Sequence, residues 1–519
     1  MELLAPRKGT DAHPLFVFVR DCQVVPILAL ALALRLYGIT QATLWYDEGF
    51  SVLVSAYSPA LIWFHSAQDV HPPLYYVLLH GWNAMFGNSV FAVRAMSVLA
   101  GLTGIVLGQW WVSLIATRRA AIVAGLILAL LPIAVRYSQE ARMYALVSVW
   151  LMGASIALIY WVKNPQRYRP LVIYVLLMSA AFYTHYFAAL GALSHWLYLL
   201  VLPLAAGKKG AFITRPAWWL ANVVIVVCYL PWIPSIIDQF SHVASVDWIP
   251  PASRYTLPST IWQYFTLDEE VLLPWPVYVA FPLLMLLLAI WTADRDKGAY
   301  RFYWMLGIYT LVPLLVVYGV SFKLPLFSPR YFVFAAMGLP LVLGIALDQW
   351  ALRFPKWALL ALVLLIGLQG VGLFNLYTQN NKMNDPIHEL NNHVGEMTTY
   401  INQHFESGDR LVVYGLYWYL SVVYYNHTAS RPLLYTPLST SGASTRPGPH
   451  GAGTLFFRAA GDTYLDTLSS IPADTRRVWL MYGNDAEGHV AVPQHWNRQF
   501  VMNFGDTQLR LYSIGPVLP

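Results

Sequence analysis

Residues 22–50 read CQVVPILALALALRLYGITQATLWYDEGF. An apolar run over 22–39 is followed, within a few residues, by the adjacent carboxylates Asp47 and Glu48. About 20 helical residues at 1.5 Å each cross the roughly 30 Å of bilayer hydrocarbon, so the run reads as a membrane span. Carboxylates at bilayer centre would cost about 2.5–3.5 kcal/mol each. Asp47 and Glu48 therefore belong at the membrane surface or in a wet cavity. The stretch predicts a polytopic membrane protein with chemistry in its loops.

Outward from it, ten more apolar blocks follow, near 90–116, 119–135, 143–162, 171–187, 189–206, 216–234, 273–292, 302–321, 331–350 and 357–377. The expectation is about 11 transmembrane helices, with the boundary around His185 the least distinct. Composition agrees: 58% of the chain is hydrophobic and 11% charged, against about 25% charged in soluble proteins. The first block follows some twenty residues that include the basic Arg7, Lys8 and Arg20, and no small-residue cleavage site succeeds it, so it reads as a retained span.

The net charge of +6 raises the question of a nucleic-acid partner, and the placement of the basic residues answers it. With the N-terminus cytoplasmic, one face holds Arg7, Lys8, Arg20, Arg118, Arg119, Lys163, Arg167, Arg169, Lys208, Lys209, Arg215, Arg295, Lys297, Arg301, Arg353 and Lys356. The opposite segments hold Arg136, Arg142, Arg254, Lys323 and Arg330. That asymmetry is the positive-inside bias; it is a topology signal, places the C-terminus outside and implies membrane lipids and no nucleic acid as partners. Cys22 and Cys228 are too far apart in this topology to form a disulfide.

Two outside loops are long, 40–89 and 235–272. In the first, Ser58-Pro59 and Pro72-Pro73 open short amphipathic helices, with Leu61, Ile62, Trp63 and Phe64 against the membrane surface and Tyr76, His80 and Asn83 sharing a face. The second carries Asp238, Asp247, Asp268, Glu269 and Glu270. The boundary at 377 divides a transmembrane domain, 1–377, from an exported domain, 378–519. The latter reads as α/β, with a helix over 386–405, strands at 411–414 and 478–482, a helix over 463–470 and a hairpin over 500–514.

Four further clusters join Asp47-Glu48 on the same predicted face. Asp69-Val70-His71-Pro72-Pro73 fixes a histidine beside an acid, through prolines that set the chain direction; these residues can bind a metal, a sugar or a phosphate. Arg136-Tyr137-Ser138-Gln139-Glu140-Ala141-Arg142 puts two arginines where positive charge is disfavoured. A phosphate ligand accounts for them, because guanidinium groups grip phosphate with charge-assisted hydrogen bonds, although snorkelling anchors would look the same. His185 and Arg330-Tyr331 complete the set. Aromatic surroundings are expected to raise the pKa of Asp47 and so strengthen it as a base. The sequence contains neither a Walker-type phosphate loop nor a dinucleotide-binding glycine fingerprint.

In these residues the chain resembles the GT-C membrane glycosyltransferases, and within them glycosyltransferase family 39, related to protein O-mannosyltransferases and to the aminoarabinose transferase of lipid A. Asp47-Glu48, His71-Pro72-Pro73-Leu74-Tyr75, Tyr137-Ser138-Gln139-Glu140-Ala141-Arg142 and Arg330-Tyr331 carry the resemblance, over about 20–377. It implies a polyprenyl-phosphate sugar donor, a lipid, glycan or protein acceptor, and inversion at the sugar carbon. Asp47 would be general base, with Glu48 positioning the acceptor or tuning Asp47. Arg142, Arg330, His71 and Arg136 would hold the donor phosphate. Asp69, Tyr137, Gln139, Glu140, His185 and Tyr331 would line the substrate site. In some relatives a divalent metal ion sits near the position of Asp69 and His71, which here are two candidate ligands. No outside segment before 377 is long enough for the soluble domain inserted in protein mannosyltransferases, which weighs against a protein acceptor. A bacterial plasma membrane suits this topology. The rivals are a lipid-linked sugar transporter or flippase, disfavoured by mid-span regions almost free of charge, and a non-catalytic lipid-binding assembly factor.

Overall fold

A computed structural model describes residues 18–19, 21–207, 211–242, 249–268, 274–378, 392–439, 441–456, 463–484, 486 and 490–515. Arg7, Lys8, Arg20, Lys208, Lys209, Asp247, Glu269, Glu270 and the first part of the helix expected over 386–405 lie outside the described residues.

The helical body begins with α1 (Val24–Leu36). The following loop folds into α2 (Tyr46–Ser55), α3 (Pro59–Gln68) and α4 (Leu74–Phe86). Then come α5 (Val90–Ile115), α6 (Arg118–Leu130), α7 (Pro132–Arg136), α8 (Tyr144–Lys163), α9 (Arg169–Thr184) and α10 (Ala188–Ala206). The rest of the body is α11 (Pro216–Tyr229), α12 (Ile233–His242), α13 (Thr256–Thr266), α14 (Trp275–Asp294), α15 (Phe302–Val320), α16 (Val333–Ala336), α17 (Gly338–Ala351) and α18 (Pro355–Tyr377).

Among the described residues, seven helical stretches are long and apolar enough to cross a membrane, and Val24–Leu36, Arg169–Thr184 and Ala188–Leu204 are shorter apolar helices. The block expected over 119–135 is broken into α6 and α7. Pro132 lacks an N–H and cannot continue the ladder, and in a bilayer the freed carbonyls need protein donors. Arg35 Nη1 donates to the Ala129 carbonyl at 3.1 Å, and Gln369 Nε2 to that of Ile127 at 2.9 Å. The break leaves residues 137–143 as a compact non-helical turn. His185 is extended and separates α9 from α10, so the boundary least distinct in the sequence is a defined corner.

After residue 392 a six-stranded sheet takes over, with α19 (Val394–His404) and α20 (Leu416–Tyr425). Its strands are β1 (Asp409–Tyr414), β2 (Leu433–Tyr435), β3 (Tyr464–Leu465), β4 (Arg477–Gly483), β5 (Trp496–Phe504) and β6 (Thr507–Ile514), in spatial order β3-β2-β1-β4-β6-β5. The first four pair in parallel and β6 runs antiparallel to β4 and β5. Registers such as Val412↔Leu480 and Trp479↔Leu511 stack buried apolar residues across the centre. The helix expected over 463–470 is not there: Tyr464–Leu465 pairs in parallel with Leu434–Tyr435, and Leu468–Ser470 is a 3-10 turn. Burial of Tyr464 and Leu465 at the sheet edge outweighs the local helical pattern.

The sheet domain is clamped onto the first loop through α20. The Leu44 N–H donates to Tyr425 Oη at 3.0 Å, and Ser421 Oγ donates to the Leu44 carbonyl at 2.7 Å. Tyr417 stacks on Tyr46 at 5.7 Å between centroids, and Gly49 lies so close to Leu420 that an added Cβ would stand 3.1 Å from the leucine Cβ.

Candidate active site

Trp45 is extended, and α2 begins after it, so Asp47 and Glu48 fall in the first helical turn. Carboxylates are favoured there by unpaired N–H groups and the helix dipole. Successive residues diverge by about 100° around a helix, and the two acids accordingly face different surroundings.

Glu48 is fully buried and its oxygens are taken. Arg94 Nε and Nη2 donate to it at 2.8 and 2.6 Å, and the Ala141 N–H donates at 2.8 Å. The same guanidinium donates to the Ile39, Ala42 and Thr43 carbonyls. Glu48 thus ties together the first loop, the start of α5 and the 137–143 turn. Arg94 escaped the sequence reading because it sits inside an apolar block. A lone arginine in a span is itself a signal of a buried partner.

Asp47 is held differently. Its Oδ2 lies 3.3 Å from Arg330 Nη1 and 3.6 Å from Arg142 Nη2, and its side chain keeps 23% exposure. Arg142 also donates to the Asp47 carbonyl and to Ser51 Oγ, each at 3.2 Å. Arg330 lies over the Trp45 ring, 5.6 Å from its centroid. Burial by itself would raise the Asp47 pKa, but Arg142 and Arg330, joined by His71, outweigh it and hold the carboxyl below its ordinary value. This reverses the expectation of a raised pKa: the two cations matter more than the aromatic surroundings.

Around this group the structure brings together most of the other candidates. His71 Nδ1 is 3.3 Å from Asp69 Oδ2, and its ring lies 5.7 Å from that of His185. His185 packs against Tyr331 at 5.5 Å and Tyr144 at 5.9 Å, and Tyr144 meets Tyr137 edge-on. The His185 Nδ1 accepts the Phe187 N–H, so a neutral ring carries its proton on Nε2. Burial, then His71 and Arg142, push its pKa well below the ordinary histidine value. Among the described residues no three His, Cys, Asp or Glu side chains are arranged to hold a metal ion. Asp69 and His71 supply two donors side by side.

Arg136, Gln139 and Glu140 lie elsewhere. Arg136 pairs with Glu140 at 2.9 Å, and Gln139 Nε2 donates to the Arg35 and Tyr37 carbonyls. These three line a separate cavity together with Glu48 and Arg94. Asp47, Arg142 and Arg330 thus meet at one place, whereas Glu48, Arg136, Gln139 and Glu140 line the separate cavity.

Comparison with known proteins follows this geometry. The family described as "Dolichyl-phosphate-mannose-protein mannosyltransferase" matches residues 70–234. No curated protein matches the sequence. The structure of ArnT from Cupriavidus metallidurans in the apo state superposes with a TM-score of 0.61 at 14% identity, covering 95% of this chain and 98% of that one. The same protein bound to undecaprenyl phosphate gives 0.60 at 14% identity and the same coverage. The archaeal oligosaccharyltransferase AglB from Archaeoglobus fulgidus, in complex with an inhibitory peptide and a dolichol-phosphate, gives 0.51 at 10% identity over 96% of this chain and 75% of that one. Identities this low establish architecture, and the architecture is shared from the first span to the terminal sheet: the chain has the fold of the GT-C membrane glycosyltransferases.

Proposed function

We propose that the protein transfers a sugar from a polyprenyl-phosphate-linked donor to an acceptor, on the membrane face that carries the sheet domain and away from the cytosol. The observation that carries this is one carboxylate set between two arginines, in an aromatic-lined site. A lipid phosphate gains negative charge as it leaves the sugar, and Arg142 and Arg330 are the groups able to hold it. Preorganised cations of this kind are usually the largest single contribution to catalysis. Asp47 takes the proton of the acceptor hydroxyl as its oxygen attacks the anomeric carbon, and the bond from that carbon to the phosphate oxygen breaks with inversion. A base so placed contributes about 10²–10⁴ in rate.

The depressed pKa of Asp47 fits this role only with donor bound. A phosphate that engages Arg142 and Arg330 withdraws their charge from Asp47 and adds negative charge nearby, and both effects raise its proton affinity. The histidine and tyrosine wall of His71, His185 and Tyr331 supplies hydrogen-bonding groups for the sugar. The solved relative bound to undecaprenyl phosphate and the family described for dolichyl-phosphate-mannose support the donor class.

The test is to purify wild-type protein, Asp47→Asn and Arg142→Ala, and to incubate each with radiolabelled polyprenyl-phospho-sugar and membrane acceptors. Turnover falls at least 10²-fold in Asp47→Asn with donor binding retained, whereas Arg142→Ala loses donor binding. Normal turnover by Asp47→Asn removes the mechanism.

A further inference from the structure

A cavity of about 650 Å³ lies on the far side of Trp45 from Asp47, where the helical body meets the sheet domain. Its floor is the loop leaving the first span and the end of the last span at Leu376 and Tyr377; its roof is α19. Among the described residues of its walls Arg94 is paired with Glu48 and Arg136 with Glu140, so a phosphate would have to break one of these pairs to bind; Glu396, 3.2 Å from His393, keeps its carboxylate largely exposed.

The rest of the walls is neutral. Gln41, Thr40, Thr399 and Gln403 bring amides and hydroxyls, and Tyr400 and Phe504 bring aromatic surface. Trp45 is part of the wall and is 92% buried. Aromatic surface beside uncharged donors and acceptors, with both wall arginines already paired, is the chemistry that recognises a neutral, hydroxyl-rich ring. The position beside Tyr377, at the end of the last span, places that ring within reach of a lipid anchor.

We propose that this cavity binds the saccharide headgroup of a membrane-anchored molecule, at a site separate from Asp47, Arg142 and Arg330. The binding does not depend on Asp47 acting as a base. The occupant touches the residue on which Arg330 rests, so the two sites share the Trp45 wall.

Cysteine protection tests this. Of the two native cysteines, Cys22 is buried and Cys228 exposed, so a Cys228→Ser background leaves a single cysteine introduced at Thr399→Cys or Gln403→Cys as the target of a hydrophilic maleimide. In lipid nanodiscs, dodecyl maltoside is expected to slow labelling at a lower concentration than maltose, and dodecylphosphocholine to have no effect. A cysteine at Ser469→Cys, outside the cavity, is labelled at one rate throughout. Asp47→Asn leaves protection unchanged, so loss of the catalytic reading and loss of this site are told apart. Absence of protection by dodecyl maltoside up to its solubility limit overturns the site. Equal protection by dodecylphosphocholine overturns its saccharide character, and equal potency of maltose and dodecyl maltoside overturns the membrane anchor.

Discussion

Asp47 and Glu48 are neighbours in sequence with opposite fates. The Glu48 side is closed: one arginine, two donors at 2.6 and 2.8 Å, a backbone N–H, and no exposed surface. The Asp47 side is open: two arginines at 3.3 and 3.6 Å, and partial exposure. Short bonds with no exposed surface hold a fold together, whereas longer contacts and partial exposure leave capacity for a ligand. The pair shows how a single helical turn can be anchored by one carboxylate while presenting the next.

The sharpest way to break this contrast is to exchange the expected phenotypes. Asp47→Asn should lower turnover by about 10²–10⁴ while the protein still folds. Arg94→Ala should instead destabilise the fold by about 3–5 kcal/mol, because it leaves Glu48 buried without its cation. Thermal melting in detergent and a transfer assay on the same samples check both; a stable but inactive Arg94→Ala would erase the distinction. Arg142→Ala and Arg330→Ala should each weaken donor binding about 10- to 150-fold, from the loss of a charged hydrogen bond worth about 1.5–3 kcal/mol, measured by retention of labelled polyprenyl phosphate.

The pH dependence sharpens the same contrast. The folded pKa of Asp47 is depressed, so its contribution to stability is present above the ordinary carboxylate value of about 3.9 and is lost as pH falls through the lower folded value. In the free enzyme Asp47 stays ionised through weakly acidic pH, and the acid limb of kcat/KM belonging to it should lie below about pH 4. Arg330→Gln should move that limb upward; an unchanged limb would detach Asp47 from the profile. The smallest effect belongs to the clamp over α2. Tyr425→Phe removes the hydroxyl that accepts the Leu44 N–H and should cost about 1 kcal/mol, seen as a modest fall in melting temperature.

The spans were legible because hydrocarbon thickness imposes length and composition, and each of the eleven blocks coincides with helix. The break at Pro132 was hidden because the composition on either side is the same, while the carbonyl donors that permit it, Arg35 and Gln369, come from elsewhere in the chain. In the candidate site, residue types and predicted membrane face brought Asp47, Arg142 and Arg330 to attention, since charge in a membrane loop is conspicuous. Their separation from Glu48 and Arg136 depends on which way one helical turn faces, and Arg94 decides that. The segment Leu416-Tyr417-Trp418-Tyr419-Leu420-Ser421-Val422-Val423-Tyr424-Tyr425 went unassigned: rich in aromatic and β-branched residues, it carries no helical periodicity. Gly415, at φ 98°, turns the chain out of β1 and starts the helix, whose packing against both α2 and the sheet sets its form.

The hydrogen bond between Leu44 and Tyr425 joins positions 381 apart in the chain. A ribosome synthesising this protein completes every span before it makes the groups that grip the stretch ahead of Asp47. Nascent chains arrested at Tyr377 are therefore expected to insert but to remain silent, and adding residues 378–519 as a separate polypeptide should restore turnover. Full activity of the arrested chain alone would show that the first loop holds its shape unaided. Under the proposed function, delay of this kind would keep an unfinished chain from consuming a lipid-linked donor.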